Sequence, residues 1–162
     1  MKQEAIRKLV AVRTLVFKDE QVLLVGHRSP KTGTVWWMAP GGLVRRREHA
    51  MEAAAREVKE ETGLDVEIEG LVYWLEWLWE ESYCLELYFL GNVTGGTLTV
   101  GTDPELDEAR QVIFDARFFK LTELKDHPVY PKVFRTMLAQ DWRRGFAGGA
   151  MYLGIDKPDL PR

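Results

Sequence analysis

The chain has one cysteine, Cys84, so no disulfide can close within it. That cysteine lies in the apolar run VYWLEWLWEESYCLELYFL, where a core thiol is expected, and such thin thiol usage reads as a cytoplasmic protein. No stretch approaches the length of a membrane span. Even the N-terminal run MKQEAIRKLVAVRTLVF is broken by charges and carries no cleavage-like region, so no membrane partner is expected. A basic excess is also missing. The formal net charge is −3, which argues against a general nucleic-acid binder but leaves a small phosphorylated ligand open, because a metal ion can neutralise it. Internal repeats and signs of a second domain are absent. With 162 residues, 46% of them hydrophobic, the chain is expected to form one packed domain over residues 1–141, with 142–162 as a C-terminal extension of the same domain.

What the chain does have is the stretch Gly42 to Leu64, GLVRRREHAMEAAAREVKEETGL, a glycine turn running into a helix. At about 100° per residue, Glu57, Glu60 and Glu61 share one helical face. Like charges at these spacings repel by a few tenths of a kcal/mol per pair, and a cation would offset that cost. Ala50 and Ala53 project on the same side, and their small side chains are expected to leave space for a ligand. Met51, Ala54, Ala55, Val58 and Thr62 form a second stripe suited to a core. Glu52, Arg56 and Lys59 occupy the rest, with Glu52 placed four residues before Arg56 for an ion pair. Clustered carboxylates suit Mg²⁺ or Mn²⁺. His49, the only histidine of the stretch, reads as a solvated first-turn residue. On spacing alone, a metal-binding face and a solvated acidic face stand equally open.

Written as a pattern, the stretch is Gly42, five residues, Glu48, seven residues, then Arg56-Glu57-Val58-Lys59-Glu60-Glu61-Thr62-Gly63-Leu64. It resembles the Nudix box, with every fixed position filled. Trp37 and Ala39-Pro40-Gly41-Gly42 resemble the family's lead-in, with alanine where leucine is commoner. The resemblance implies an α/β fold, a Nudix-type α/β/α sandwich with a mixed central sheet. It implies a pyrophosphohydrolase using Mg²⁺, or Mn²⁺ in its place. It also implies catalytic roles for Glu57, Glu60, Glu61 and Arg56. The metal would be held by the Gly41 carbonyl with Glu57, Glu60 and Glu61, while Gly42, Glu48 and Gly63 would serve the box structurally.

The remaining elements follow from local pattern. Ala5 to Phe17 and Gln21 to His27 read as strands separated by Lys18-Asp19-Glu20. Arg28 and Lys31 enter a proline- and glycine-marked loop; Arg28 is a candidate phosphate contact, while Lys31 reads as solvated. Val35 to Met38 is a short strand. Arg45-Arg46-Arg47 reads as a solvated loop run. Asp65 to Glu80 is a long strand whose alternation puts Leu71, Tyr73, Leu75, Trp77 and Trp79 on one apolar face. Trp37, Trp77, Trp79 and Tyr83 are the aromatic substrate-contact candidates. Tyr83 to Asn92 and Val112 to Phe119 are further strands. Between them, Glu105 and Glu108 are candidates for an extra base or metal ligand, since related hydrolases often recruit a carboxylate there. His127 to Pro131 is expected to open a helix that runs to about Asp141, with Pro131 in its first turn. The tail shows no clear period.

The resemblance implies cleavage of a diphosphate linkage in a nucleoside diphosphate derivative. ADP-ribose or a nucleotide sugar ranks first, although the proline that marks many ADP-ribose hydrolases beyond the box is absent and Trp79 occupies that region. Oxidised nucleoside triphosphates and dinucleoside polyphosphates are the enzymatic alternatives; a non-catalytic nucleotide sensor is the third, and the intact set of box acids argues against it. The expected partner is a small nucleotide, and a second copy of the chain in a homodimer.

Overall fold

In the computed structural model, residues 6–78, 82–102 and 112–156 are described. The first strand, β1 (Arg7–Lys18), turns at Asp19 into β2 (Gln21–Arg28). Asp19 takes a positive φ of 53°, a conformation that aspartate tolerates better than most residues. The short β3 (Val35–Met38) and β4 (Gly41–Leu43) lead to the box helix, α1 (Ala50–Thr62). Glu52 accepts a hydrogen bond from the His49 backbone N–H at 3.2 Å and also pairs with the His49 ring, which closes the helix start. Gly63 ends the helix in the left-handed region, its N–H donating to Lys59 O at 3.0 Å.

Two long strands follow, β5 (Leu64–Leu78) and β6 (Ser82–Gly96), then β7 (Ile113–Lys120), a 3₁₀ turn over Leu121–Asp126, the second helix α2 (Phe134–Arg143) and β8 (Met151–Asp156). The sheet runs β3-β2-β1-β6-β5-β8, with β4 paired to β1 and β7 to β2. β1 lies parallel to β6 and β5 parallel to β8, whereas the other pairs are antiparallel, so the sheet is mixed. Period-two alternation along β1 separates two cores. Val12 and Val16 face α1 and meet Ala53, Ala54 and Val58, while Ala11 and Leu15 face α2 and meet Tyr73, Tyr88, Phe134 and Leu138. The helices thus cover opposite faces of the sheet.

The fold departs from several local expectations. Alternation along β5 does not persist, because the pairing with β6 shifts register on both sides of Leu71. Leu71 consequently joins the α1-side cluster while Val72 and Tyr73 both join the other. His127 to Pro131 does not open the helix. Pro128 O accepts from Trp37 N–H and Tyr130 N–H donates to Trp37 O, each at 2.9 Å, so this segment extends along the edge of β3 and α2 begins only at Phe134. The tail, without a readable period, contributes β8. Ala53 is fully buried between α1 and the sheet and leaves no ligand space, whereas Met51, expected in the core stripe, is exposed.

Candidate functional site

Gly41 and Gly42 lie in β4, which runs antiparallel beside β1 with Arg13 opposite Gly41 and Val12 opposite Gly42. The approach is too close for any side chain at Gly41, where a Cβ would stand 2.0 Å from Val12 O. Gly42 serves the opposite side: a Cβ there would stand 2.6 Å from Glu57 Oε1, so the Glu57 carboxylate rests against bare backbone. Glu61 reaches the same strand and accepts the Gly41 N–H at 2.9 Å. Glu57 and Glu61 are buried, and Glu60, one turn beyond Glu57, is partly exposed. The structure therefore brings Gly41, Gly42, Glu57, Glu60 and Glu61 together.

Arg56 organises these acids. Its Nε and Nη2 grip both oxygens of Glu48 at 2.7 and 3.0 Å, and Nη2 also donates to Leu43 O at 3.1 Å. Nη1 donates to Glu57 Oε1 at 2.7 Å and to Glu60 Oε2 at 2.9 Å. The expected Glu52–Arg56 pair is absent because Glu52 is engaged at the helix start and Arg56 turns toward the loop. The fork of Arg56 holds Glu48 well below the usual carboxylate range, and this hydrogen bonding, led by Glu48, raises the pKa of Arg56 despite its partial burial. Arg45 is not merely solvated: its guanidinium pairs with Glu60 at 3.2 Å and its backbone N–H donates to Glu48 at 2.9 Å.

The donor set is wholly oxygen, three carboxylates beside a backbone turn, and its chemistry fits a hard divalent cation. Among the described residues, no three acidic, histidine or cysteine side chains are drawn together closely enough to enclose an ion. The carboxylates are instead directed to Arg56, Arg45 and the Gly41 N–H.

The aromatic candidates sit elsewhere. Trp37 is buried against Phe114 and Phe119, with the Arg117 guanidinium 4.7 Å from its ring, and Arg28 lies over Phe114 at 4.8 Å. Trp77 is buried on the α2 side of the sheet and donates its indole N–H to Glu86 at 2.7 Å. Tyr83 donates to Glu76 at 2.8 Å. Trp79, Glu105 and Glu108 lie outside the described residues.

Sequence reasoning missed Arg13 and Glu86, which meet on the α2 side of the central strands. A signal existed: each is a charged residue on the inward phase of a strand otherwise facing the core. His27, buried behind β3, donates Nδ1–H to Val25 O at 3.1 Å in its neutral form; burial, reinforced by the Arg13 charge, pushes its pKa down to about 3.

The chain is 35% identical over 118 residues to the NAD-capped RNA hydrolase NudC of Vibrio atlanticus, covering 73% of this chain and 38% of that protein. It is 33% identical over 118 residues to the ADP-ribose pyrophosphatase of Methanocaldococcus jannaschii, covering 71% of this chain and 63% of that one. In both cases it spans less than two thirds of the relative's length. Its fold matches a NUDIX hydrolase from Nitrosomonas europaea with a TM-score of 0.70 at 21% identity, over 96% of this chain and 82% of that chain. It also matches an ADP-ribose pyrophosphatase from Streptococcus suis with a TM-score of 0.63 at 22% identity, over 91% and 98%. At those identities the structural matches establish the fold alone. The family model for the NUDIX domain matches residues 7–138, from the first strand to within α2, and encloses the whole acidic helix and its glycine turn: the chain belongs to the Nudix hydrolase family.

Proposed function

We propose that this chain hydrolyses the diphosphate linkage of a nucleoside diphosphate derivative, ADP-ribose or a nucleotide sugar, with Mg²⁺ as cofactor and Mn²⁺ able to replace it. The observation that carries the reading is that Glu57 and Glu61 meet the Gly41-Gly42 turn from the helix that also presents Glu60, with Arg56 tying Glu57 to Glu60. The name of the Methanocaldococcus relative, ADP-ribose pyrophosphatase, supports the substrate class.

In this reading Glu57, Glu60 and Glu61, with the Gly41 carbonyl, would hold the divalent cation. When bound, such an ion supplies charge neutralisation for diphosphate oxygens and polarises a water. Arg56 orients Glu57 and Glu60 relative to each other and is itself fixed by Glu48. One glutamate, from the box or from Glu105 and Glu108, accepts the proton of the attacking water. Arg28, Trp79 and Tyr83 remain the proposed substrate contacts, whereas Trp37 and Trp77 are buried in the core and are no longer proposed for that role. We further propose a cytoplasmic setting and a homodimer; light scattering that finds only monomer at working concentration would refute the dimer.

The test is product release from ADP-ribose, nucleotide sugars, NAD-capped RNA, dinucleoside polyphosphates and oxidised nucleoside triphosphates, with Mg²⁺ and with chelator. Turnover of the first two classes should dominate and vanish with chelator. Glu61→Gln should lower kcat by at least roughly 100-fold, the lower end of what a positioned base or charge-stabilising group contributes. Preferred turnover of another class would overturn the substrate assignment, and tight nucleotide binding without turnover would favour a sensor.

A further inference from the structure

β1 and β6 run side by side through the centre of the sheet, and each carries one charged residue into the apolar core on the α2 side. Glu86 is only 2% exposed. Both of its oxygens are occupied: Arg13 Nε donates to Oε1, while Trp77 Nε1 at 2.7 Å and the Tyr88 hydroxyl at 2.9 Å donate to Oε2. Burial alone would lower the pKa of Arg13, but Glu86, Tyr88 and Glu61 together more than reverse this and the guanidinium stays charged. An ion pair this deep is a weak source of stability, because apolar residues of similar volume often serve as well or better. Its contribution is therefore to be sought in something that an apolar pair could not do.

The other end of Arg13 supplies it. Nη1 donates to Ala39 O at 2.9 Å, and the backbone N–H of the next residue, Thr14, donates to Pro40 O at the same distance. Gly41 lies so close above Arg13 that a Cβ on it would stand 2.7 Å from the Arg13 Cα. Three successive residues of the turn, Ala39, Pro40 and Gly41, are thus set from β1. The third of them donates its N–H to Glu61.

We propose that Arg13, anchored by Glu86, Trp77 and Tyr88, is a positioning residue for the hydrolytic site, holding the Ala39 carbonyl so that the Gly41 N–H is aimed at Glu61. This rests on the reading of Glu61 as part of that site. The charge of Arg13 matters less than its shape: a planar fork can serve Glu86 and Ala39 O together, whereas a lysine ammonium presents a single point. Glu86 in turn fixes which way the fork lies, and the Trp77 and Tyr88 donors fix Glu86.

Two variants test it. Arg13→Met/Glu86→Leu removes the clamp without stranding a buried charge, and Arg13→Lys keeps the charge but loses the fork. Backbone amide exchange is read at Gly41 and, as internal control, at Leu15 and Val16 on β1, the strand that carries Arg13. Alongside it, Mn²⁺ binding is titrated without substrate, and kcat and KM are measured for the best nucleotide. We expect Gly41 exchange to rise at least 10-fold in both variants with the control amides unchanged, and Mn²⁺ binding to weaken. We also expect kcat to fall roughly 10- to 100-fold, the range typical for partners that orient metal ligands, with KM nearly constant. Uniform acceleration of all three amides, or wild-type Gly41 exchange and kcat in a folded variant, would reduce the pair to a core feature and overturn the proposal. Should the double variant not fold, Arg13→Lys decides by the same criteria. If no nucleotide is turned over even by the wild type, the substrate reading fails, and Gly41 exchange still decides whether Arg13 positions the turn.

Discussion

Arg56 shows how one side chain can make an acidic helix tolerable. Glutamates at spacings of three and four repel, yet the guanidinium reaches Glu57 and Glu60 at once while both oxygens of Glu48 hold its far edge. Its geometry, not only its charge, does this, so Arg56→Lys should fail to substitute. We expect the variant to lose roughly 10- to 100-fold in kcat or in Mg²⁺ activation, as is typical when partners of ligating groups are removed. Steady-state kinetics across a Mg²⁺ titration measure it, and wild-type behaviour in Arg56→Lys would show that the fork is dispensable. Sequence pattern alone paired Arg56 with Glu52, because helical spacing permits that contact. The loop before the helix offered Arg56 a better partner in Glu48, and only the folded loop could reveal this.

At the scale of elements, the two helices do different work. α1 brings its carboxylates to β4 and packs Ala53, Ala54 and Val58 on the sheet, whereas α2 covers the opposite face with Phe134 and Leu138. Stability and chemistry should therefore separate. Leu138 is fully buried, and Leu138→Ala is expected to destabilise the fold by about 2–5 kcal/mol, the usual range for such a truncation. Its Mg²⁺ activation constant should stay at the wild-type value below the melting transition. Denaturant unfolding gives the first quantity and kinetics the second; a shifted activation constant in the folded variant would show that α2 also shapes the acidic site. The register shifts of β5 belong to this scale as well. Strict alternation along the sequence placed Leu71 with Tyr73, but a bulge sends them to opposite faces, and its one local hint is Gly70, since a glycine within a strand often marks a bulge.

For the molecule as a whole, acid should be the destabilising direction. His27 has an ordinary pKa of 6.5 and is pushed down to about 3 in the fold, so between those values the unfolded chain binds a proton that the folded chain refuses. Stability therefore falls as pH drops from about 6.5 toward 3. Glu48 acts in the same sense lower down: its pKa is depressed in the fold, so its contribution is present above the ordinary carboxylate value and is lost on further acidification. His27→Asn, which keeps a donor for Val25 O, should flatten the dependence of the denaturation midpoint between pH 6.5 and 5, where carboxylates are still ionised. An unchanged slope would place the acid sensitivity elsewhere. The sequence by itself determined the acidic helix, its glycine turn and most strand positions, because helical spacing, alternation and the box pattern are written in neighbouring residues. Only the tertiary structure decided that Arg13 meets Glu86 beneath Ala39, that His127 to Pro131 lies along β3, and that β8 joins β5. Those contacts depend on chain segments brought together by the sheet, and such long-range pairing leaves no local periodicity to read.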